Sequence, residues 1–410
     1  MRPGRAADIW CWLTSRTRFE LGAILLWGLA LLFVNIRAYA WPEVRTVYPI
    51  FSASARLWWS GEDLYFPDRP ADVAAGYRYG PAFTVLLTPF GLLPDALGGV
   101  VWRLFSVAAV FGALAWLARS VLPMPLSRDQ FACLALLTLP LTLQSLNNGQ
   151  SNLIIIAALM GCVAAVKEER WNIACALMAI AFACKIYPLA LGMLLALLYP
   201  RQLGWRMALT AAATLLAPFL LQHPDYVADQ YQKWIVLLET DDRTTASPTC
   251  KLRDLWLLID LYGLPISRSV YAVLQILGGA GIAGLLWWRQ RQGWSDRPLL
   301  TSCLALSVLW MLLLGPAVES STFVLLAPSL GFSLLEASAR TSRWRKLLLV
   351  SSAGFFLAAI LLGAIANTGK LHFLSIHPWA TLLYGAFLLT EPSAIARAAG
   401  QPACVFRAAA

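Results

Sequence analysis

The sequence is poor in charge, and this deficit excludes most soluble folds. Only 13% of its 410 residues are charged and 59% are hydrophobic, with a mean hydropathy of +0.64, whereas soluble domains are about a quarter charged. Lipid offers no partner to open backbone groups, and helices satisfy their own. We therefore predict an all-α polytopic integral membrane protein.

Several chemical motifs are also missing. Of the eight cysteines, only Cys250 falls in a predicted outer segment, so a disulfide within the chain on that side would have no second partner. No cysteine pair has metal-ligand spacing in a polar setting, and we find no P-loop, fixed-period repeat or low-complexity tract. The cysteines are interpreted as small apolar packing residues.

Apolar runs mark about twelve predicted spans, most of them close to the ~20 residues that cross the hydrocarbon. They lie roughly at 21–40, 99–119, 130–146, 151–166, 171–185, 188–200, 205–222, 269–288, 299–316, 321–337, 346–367 and 376–391. Segment 188–200 is short and is interpreted either as a span or as a re-entrant helix. Because of this segment and of the apolar segment 82–94, eleven or thirteen spans remain alternatives.

Lysine and arginine concentrate on one side of these spans. Alternating the sides from a cytoplasmic N-terminus places most of the +10 net charge in one set of connections, which is the positive-inside pattern. Topology therefore explains the basic charge, and nucleic acid is not an expected partner. We predict a multi-pass protein of the cell (inner) membrane, with 1–20 and 392–410 cytoplasmic and one transmembrane domain over 21–391. The first apolar run lacks a small-residue cleavage site and is expected to stay uncleaved.

Two predicted outer segments, 40–98 and 223–268, are longer than a simple helix connection needs. Within the first, the apolar piece at 83–93 is too short to span, and residues 50–59 combine two tryptophans with an arginine. We predict that both are interfacial helices. The second segment is expected to hold one amphipathic helix and a loop.

Polar residues gather at the outer ends of the predicted spans, while the middles of the spans carry almost no charge. The outer group contains Asn147, Asn148, Gln150, Asn152, Lys185, Tyr187, His223, Glu319, His372 and His377. Ion-coupled transporters usually need ionisable groups near the midplane. The distribution therefore favours chemistry at a membrane surface.

Two features of this group each allow two interpretations. Lys185 interrupts the apolar stretch "ALMAIAFACKIYPLALGMLLALL", either as a snorkelling lysine at a span end or as a cation that holds a phosphate at headgroup depth. The stretch "NNGQSN" at 147–152 is either a turn with a helix cap or the polar mouth of a binding site. The acids of the first outer segment are by default a solvated loop.

Four stretches in this order carry a family resemblance. They are "VYPIFSASARLWWSGEDLY", "YRYGPAFTVLLTPFGLLP", "NGQSNLIII" and "KEERWNIACALMAIAFACKIYPLALGMLLALLYPRQ". Over residues 40–205 the chain resembles glycosyltransferase family 87, the polyprenol-phosphate-dependent mannosyltransferase-like enzymes of the GT-C superfamily. The "NGQ-S-N" mouth followed about thirty residues later by "K-x-x-P" is the more specific part of the resemblance. Beyond that range, "GPAVESSTFVLLAPSL" is only weakly similar.

The resemblance implies a GT-C-like enzyme whose interfacial helices cover an extracytoplasmic site for a lipid-linked sugar and an acceptor. It implies inverting transfer of a sugar, a hexose such as mannose, from a polyprenyl-phosphate donor to a glycolipid or glycan. A carboxylate of the first outer segment would be the general base on the acceptor hydroxyl. The residues expected to bind the donor phosphate and sugar, or to close the site, are Lys185, Asn148, Gln150, Asn152, Arg78, Tyr79 and Tyr187.

The sequence departs from the family pattern at the expected base. The family usually carries D-x-x-V-Y, whereas here Val44 has the spacing of the aspartate and Glu43 lies one position earlier. A glutamate reaches further by one methylene, so Glu43 is the predicted base. Asp63 is the first alternative, and Asp241 or Asp242 is the second.

The sequence leaves open whether the protein needs a metal and to which functional class it belongs. A divalent metal is not indicated, although the acidic pairs Glu62/Asp63 and Asp241/Asp242 offer the carboxylates that such an ion prefers. A transporter or flippase for a lipid-linked sugar would show broken helices and internal repeats, and a divergent member would bind without transferring. A structural subunit would leave Lys185 unexplained.

Overall fold

The computed structural model of the protein describes residues 16–44, 46–65, 76–240, 252–264, 266–316, 318–337, 341–365 and 376–390. Several features predicted above lie outside these residues, namely Asp241, Asp242, Cys250, His372 and most of the two tails.

The described residues fold into α-helices joined by short turns, with no β-strand among them. In chain order the helices are α1 (Arg18–Ala40), α2 (Tyr48–Ser60), α3 (Pro81–Gly91), α4 (Asp95–Ser120), α5 (Arg128–Asn148), α6 (Asn152–Lys167), α7 (Trp171–Cys184), α8 (Leu189–Leu198), α9 (Trp205–Leu216), α10 (Pro224–Thr240), α11 (Leu255–Leu261), α12 (Arg268–Arg291), α13 (Asp296–Leu314), α14 (Ala327–Glu336), α15 (Arg343–Ile365) and α16 (Ile376–Leu389). Short stretches of π- or 3-10 helix form Pro200–Gly204, Ala217–Leu220 and Ser320–Leu326.

Each predicted apolar segment coincides with one of these helices or with a helix and its adjoining turn. The described helices long and apolar enough to cross a membrane are Arg18–Ala40, Asp95–Ser120, Pro200–Leu220, Arg268–Arg291, Asp296–Leu314 and Arg343–Leu362. Other apolar helices have only 10–17 residues, fewer than the ~20 that cross the hydrocarbon. The all-helical membrane fold is therefore confirmed, and the count of twelve spans stays a prediction.

The helices predicted in the two outer segments are present. α2 and α3 each begin with proline in the first turn, where its fixed φ suits a helix and its missing N–H has no partner to lose. In the second outer segment α10 is a long amphipathic helix and α11 a short one. Their position at the membrane interface stays a prediction.

Helix α6 forms the centre of the bundle. Every residue from Asn152 to Val166 is buried, and the helix packs between α4 and α7. A helix that is apolar on all sides has no face to turn towards water, so it is stable only when surrounded. By contrast, α1, α9 and α12 leave large apolar side chains exposed, such as Leu25, Leu209 and Leu277, as helices that face lipid do.

A buried arginine joins this core to the first outer segment. Arg103 of α4 is 2% exposed. Its guanidinium donates to the carbonyls of Gly99, Leu146 and Asn147 and to the hydroxyl of Thr46 at 2.9–3.0 Å. The carbonyls in the last turn of a helix lack partners within that helix, so Arg103 caps α5 and ties Thr46 to it.

The chain that follows α1 is held against the same helix end. Arg37 donates to the side-chain oxygen of Asn147 and, at 3.0 Å, to the carbonyl of Val44. The carbonyl of Asn148 accepts from the Thr46 hydroxyl at 3.0 Å and from the Val47 N–H at 2.9 Å. The first outer segment therefore starts in a fixed position on the end of α5.

We expect Arg103→Met to lower the free energy of unfolding by roughly 2–4 kcal/mol, because several buried oxygens lose their donor at once. Thermal unfolding in detergent or nanodiscs measures the effect. The matched control is Arg119→Met, an exposed arginine on the same helix, which should change the unfolding temperature little. Equal effects of the two substitutions would contradict a capping role for Arg103.

Candidate active site

The stretch "NNGQSN" forms a tight turn between α5 and α6. Gly149 ends α5 with φ +66°, a left-handed conformation that glycine adopts without strain. A Cβ at this position would lie 3.0 Å from Nη2 of Arg103, so close packing also requires glycine. Because Asn152 starts α6 immediately afterwards, the turn brings the side chains of Gln150 and Asn152 together.

These two amides belong to a chain of hydrogen bonds that runs from a lysine to a glutamate. Nζ of Lys185 donates to Oδ1 of Asn152 at 3.2 Å, Nδ2 of Asn152 donates to Oε1 of Gln150 at 3.2 Å, and Nε2 of Gln150 donates to Oε2 of Glu319 at 2.9 Å. We call this series the amide chain. Both amides are buried, with Asn152 at 0% and Gln150 at 6% exposure.

The direction of the amide chain follows from the groups at its ends. An ammonium group only donates hydrogen bonds and an ionised carboxylate only accepts them. Lys185 therefore requires the oxygen of Asn152, Glu319 requires the amino group of Gln150, and the middle bond completes the series. A buried amide without partners would cost about 1–3 kcal/mol, so the chain fixes the positions of all four side chains.

Lys185 lies where the chain leaves α7. Its backbone is extended, with φ −157° and ψ 156°, and Pro188 follows just before α8 begins. Nζ lies 5.9 Å from the ring centroid of Tyr79 and 5.5 Å from that of Tyr187, within the range of cation–π attraction. The break between two apolar helices thus presents a cation among aromatic rings.

A cavity of about 370 Å³ opens at this point. Lys185, Gln150 and Glu319 supply polar groups to its wall. The rest is mostly apolar or aromatic, from α2, the segment before α3, the end of α7, α9 and α10, and includes Phe51, Phe182, Ile186, Leu215, Tyr231 and Trp234. A few polar groups in an apolar concave site are typical of small-ligand pockets.

Helix α10 covers one side of the cavity and is joined to the first outer segment by a hydrogen bond and an ion pair. Nε1 of Trp234 donates to the carbonyl of Arg78 at 3.1 Å, and Lys233 forms ion pairs with Asp63 and Asp229. The hydrogen bonds that Lys233 donates to Asp229 and Asp63 raise its pKa, so this lysine stays charged. The two outer segments therefore form one cover over the cavity.

An apolar groove of about 590 Å³ adjoins the cavity. It lies between α3, α7 and α9 and shares Ala82, Ala183 and Thr214 with the cavity wall. Alanines and larger apolar residues line most of it, and its wall also includes Asn172 in the first turn of α7 and Arg206 in the first turn of α9. The distance along α7 from Asn172 to Ala183 is about 17 Å at 1.5 Å per residue, roughly half the hydrocarbon thickness.

Most of the predicted donor-binding residues meet in the cavity. Lys185, Gln150, Arg78, Tyr79 and Tyr187 all line it, and Asn152 reaches it through the amide chain. Tyr79 accepts a hydrogen bond from Ser151 at 3.4 Å, and burial, with the nearby charge of Glu319, raises its pKa. Its phenol is therefore neutral near pH 7. The roles of these residues remain predictions.

The other predicted residues lie elsewhere. Glu43 is exposed in the turn after α1 and is not part of the cavity wall. Asp63 pairs with Lys233 in the cover, and Asn148 uses its carbonyl to hold the first outer segment. In the described part of the chain, no group of three or more histidine, cysteine or acidic side chains is placed to hold a metal.

Glu319 and Trp234 line the cavity, and the sequence pattern predicted no role for either residue. Glu319 was noted only as a polar residue after a predicted span, and Trp234 lay in an outer segment without a motif. The "GPAVES" stretch around Glu319 was a signal, since it ends an apolar run with an acid. Nothing in the sequence indicated that it would meet Gln150, 169 positions away.

The segment that carries Glu319 is supported by the start of α11. The N–H of Arg253 donates to the carbonyl of Val318 at 2.7 Å. Next to it, the Asp254 side chain caps α11 by accepting from the N–H of Leu257 at 3.2 Å. Asp254 is 6% exposed, and this burial raises its pKa to about 6.

The fold and the site together define a polytopic helical membrane protein with a lysine and a glutamate in an apolar cavity. The sequence model of glycosyltransferase family 87 matches residues 77–316, more than half of the chain, and the protein belongs to this family. The match extends further towards the C-terminus than the resemblance seen in the sequence, and it starts after Glu43 and Asp63. No curated protein matches the chain. Family membership makes the protein a membrane glycosyltransferase.

We expect the burial of Asp254 to make stability depend on pH. Its pKa is about 6 in the folded protein, against an ordinary value of 3.8 for an aspartate. The contribution of the Asp254 carboxyl to the free energy of unfolding is therefore fully present below about pH 4, and it is lost as the pH rises through 6. Relative to wild type, Asp254→Asn should gain on the order of 2 kcal/mol between pH 4 and pH 7, since asparagine keeps the cap without the charge. Thermal unfolding of wild type and Asp254→Asn across this pH range measures the difference. If the unfolding temperatures of the two proteins change with pH in parallel, the prediction is wrong.

Proposed function

We propose that the protein transfers a sugar from a polyprenyl-phosphate carrier to a hydroxyl of a glycolipid or glycan on the extracytoplasmic side of the cell membrane. The observation that carries this proposal is the position of Lys185. It lies in the cavity wall, two residues beyond Ala183, and Ala183 lines both the cavity and the groove. A lipid phosphate has the same arrangement, with a charged head directly on an apolar chain.

The groove supports a lipid-linked donor over a nucleotide-linked one. An isoprenoid chain has no hydrogen-bonding groups, and the groove wall is mainly alanine and larger apolar side chains. Helix α9 at its edge is largely exposed on its apolar face, so a chain could enter from the surrounding lipid. With its phosphate at Lys185, the donor would place its sugar in the cavity.

The cavity suits a monosaccharide and its phosphate. Its volume of about 370 Å³ lies near the lower end of the ~300–1,000 Å³ that is usual for small-ligand sites. The ammonium of Lys185 would offset the charge that grows on the phosphate as the glycosidic bond breaks. We propose a hexose such as mannose on the basis of the family resemblance, and an acceptor that enters beneath Arg78 and Trp234.

The extracytoplasmic placement of the site rests on charge. The ends of α5 and α7 and the starts of α6 and α8 meet at the cavity. The opposite ends of α6 and α7 carry Lys167, Arg170 and, in the next turn, Arg201. Since cytoplasmic connections carry the excess of basic residues, the cavity would face away from the cytoplasm.

Loss of the Lys185 ammonium should cost transfer activity about 10²–10³-fold, as for other electrostatic donors to a leaving or developing anion. We would assay the purified protein in nanodiscs with a panel of radiolabelled polyprenyl-phosphate sugars and with sugar nucleotides. Lys185→Ala should collapse transfer and Lys185→Arg should retain part of it. Lys167→Ala, at the far end of α6 and paired with Asp296, is the matched control. Transfer from a sugar nucleotide alone would refute the lipid-linked donor.

Filling the groove should weaken long-chain donors selectively. Ala179 lies in the groove wall on α7, so Ala179→Trp is expected to raise KM for a long polyprenyl-phosphate sugar at least tenfold and to leave KM for a short-chain prenyl analogue nearly unchanged. Ala272→Trp, on the exposed face of α12, is the matched control. Equal changes in KM for both donors would show that the groove does not hold the chain.

A further inference from the structure

Sugar transfer to a hydroxyl needs a group that takes the hydroxyl proton, and the cavity contains a carboxylate in position to do so. Among the described residues that line the cavity, Glu319 is the only aspartate or glutamate. Glu43, the base predicted from the sequence, is exposed in the turn after α1 and outside the wall. Asp63 is engaged with Lys233 in the cover.

The carboxylate of Glu319 is held firmly. Oε2 accepts from Gln150 at 2.9 Å, and the backbone N–H of Glu319 donates to the hydroxyl of Thr322 at 3.1 Å. The residue before it, Val318, is anchored through its carbonyl to Arg253. A general base is effective only when its position relative to the reacting hydroxyl is fixed, and these contacts supply that constraint from both sides.

Glu319 and Lys185 occupy opposite ends of the amide chain. Two amide side chains and three hydrogen bonds separate the ammonium from the carboxylate. In inverting transfer the nucleophile approaches the anomeric carbon from the face opposite to the leaving group, and inverting glycosidases likewise keep their two functional groups apart by ~6.5–9.5 Å. Lys185 and Glu319 line the same cavity, so a sugar whose phosphate contacts Lys185 would lie in the cavity that also contains the Glu319 carboxylate.

We infer that Glu319 is the general base of the transfer reaction, an inference that rests on the function proposed above. As the acceptor oxygen forms its bond to the anomeric carbon, the hydroxyl proton passes to the Glu319 carboxylate. The bond between the anomeric carbon and the phosphate oxygen breaks, and its electron pair remains on the carrier phosphate. The charge gained there faces Lys185, and Glu319 later returns the proton to water.

The test compares Glu319→Gln, Glu319→Ala and Glu43→Gln in nanodiscs, with Glu239→Gln as the matched control because Glu239 is an exposed glutamate of α10. Transfer to the hydroxyl acceptor should fall about 10²–10⁴-fold in both Glu319 variants, the usual effect of removing a general base. Affinity for the donor and the unfolding temperature should change little in Glu319→Gln, since its amide oxygen still accepts from Gln150.

Azide distinguishes a base from a binding residue, because this anion attacks carbon without giving up a proton. Adding azide to Glu319→Ala should produce a glycosyl azide of inverted configuration, and Glu43→Gln should transfer normally. If Glu43→Gln instead loses transfer and is rescued by azide, the base is Glu43 and this inference is overturned while the proposed function stands. The inference would also be overturned if the Glu319 variants lost sugar transfer, bound the donor more weakly and formed no glycosyl azide. A wild-type protein that transfers from no donor would refute both.

Discussion

The guanidinium of Arg103 holds the fold and the site together. It is buried in the bundle, and its donors are shared between α4, the last turn of α5 and Thr46 of the first outer segment. Lipid and apolar side chains supply no substitute donors for those carbonyls. The position of the turn at 147–152, and hence of Gln150 and Asn152, follows from this one side chain and from the glycine that lets it approach.

The polar residues of that turn form two groups with different contacts. Asn147 and Asn148 face the first outer segment and bind Arg37, Thr46 and Val47. Gln150 lines the cavity and, together with Asn152, connects Lys185 to Glu319. A turn alone would need fewer polar residues, so the unusual composition of "NNGQSN" arises because one helix end must both anchor a segment and form the wall of a site.

The sequence predicted the parts of this arrangement that local pattern determines. Apolar runs located the helices, and the interruption at Lys185 and Pro188 located the break between α7 and α8. Glu319 and Trp234 could not be found in this way, because each reaches the cavity through a tertiary contact, with Gln150 and with the carbonyl of Arg78. The opposite case is Glu43. Its place next to the family motif made it the predicted base, but the fold positions it outside the cavity wall.

Two amide side chains connect Lys185 to Glu319 through three hydrogen bonds. A lysine and a glutamate in direct contact within an apolar cavity would attract each other strongly and would satisfy each other at one point of the wall. Asparagine and glutamine are uncharged, and each can accept a hydrogen bond with its oxygen and donate one with its nitrogen, so they connect a group that only donates to one that only accepts. A polar substrate with negative charge on one side and a proton to lose on the other would then match the cavity at both ends. In the proposed mechanism the amide chain would therefore link the side chain that binds the carrier phosphate to the side chain that accepts the hydroxyl proton.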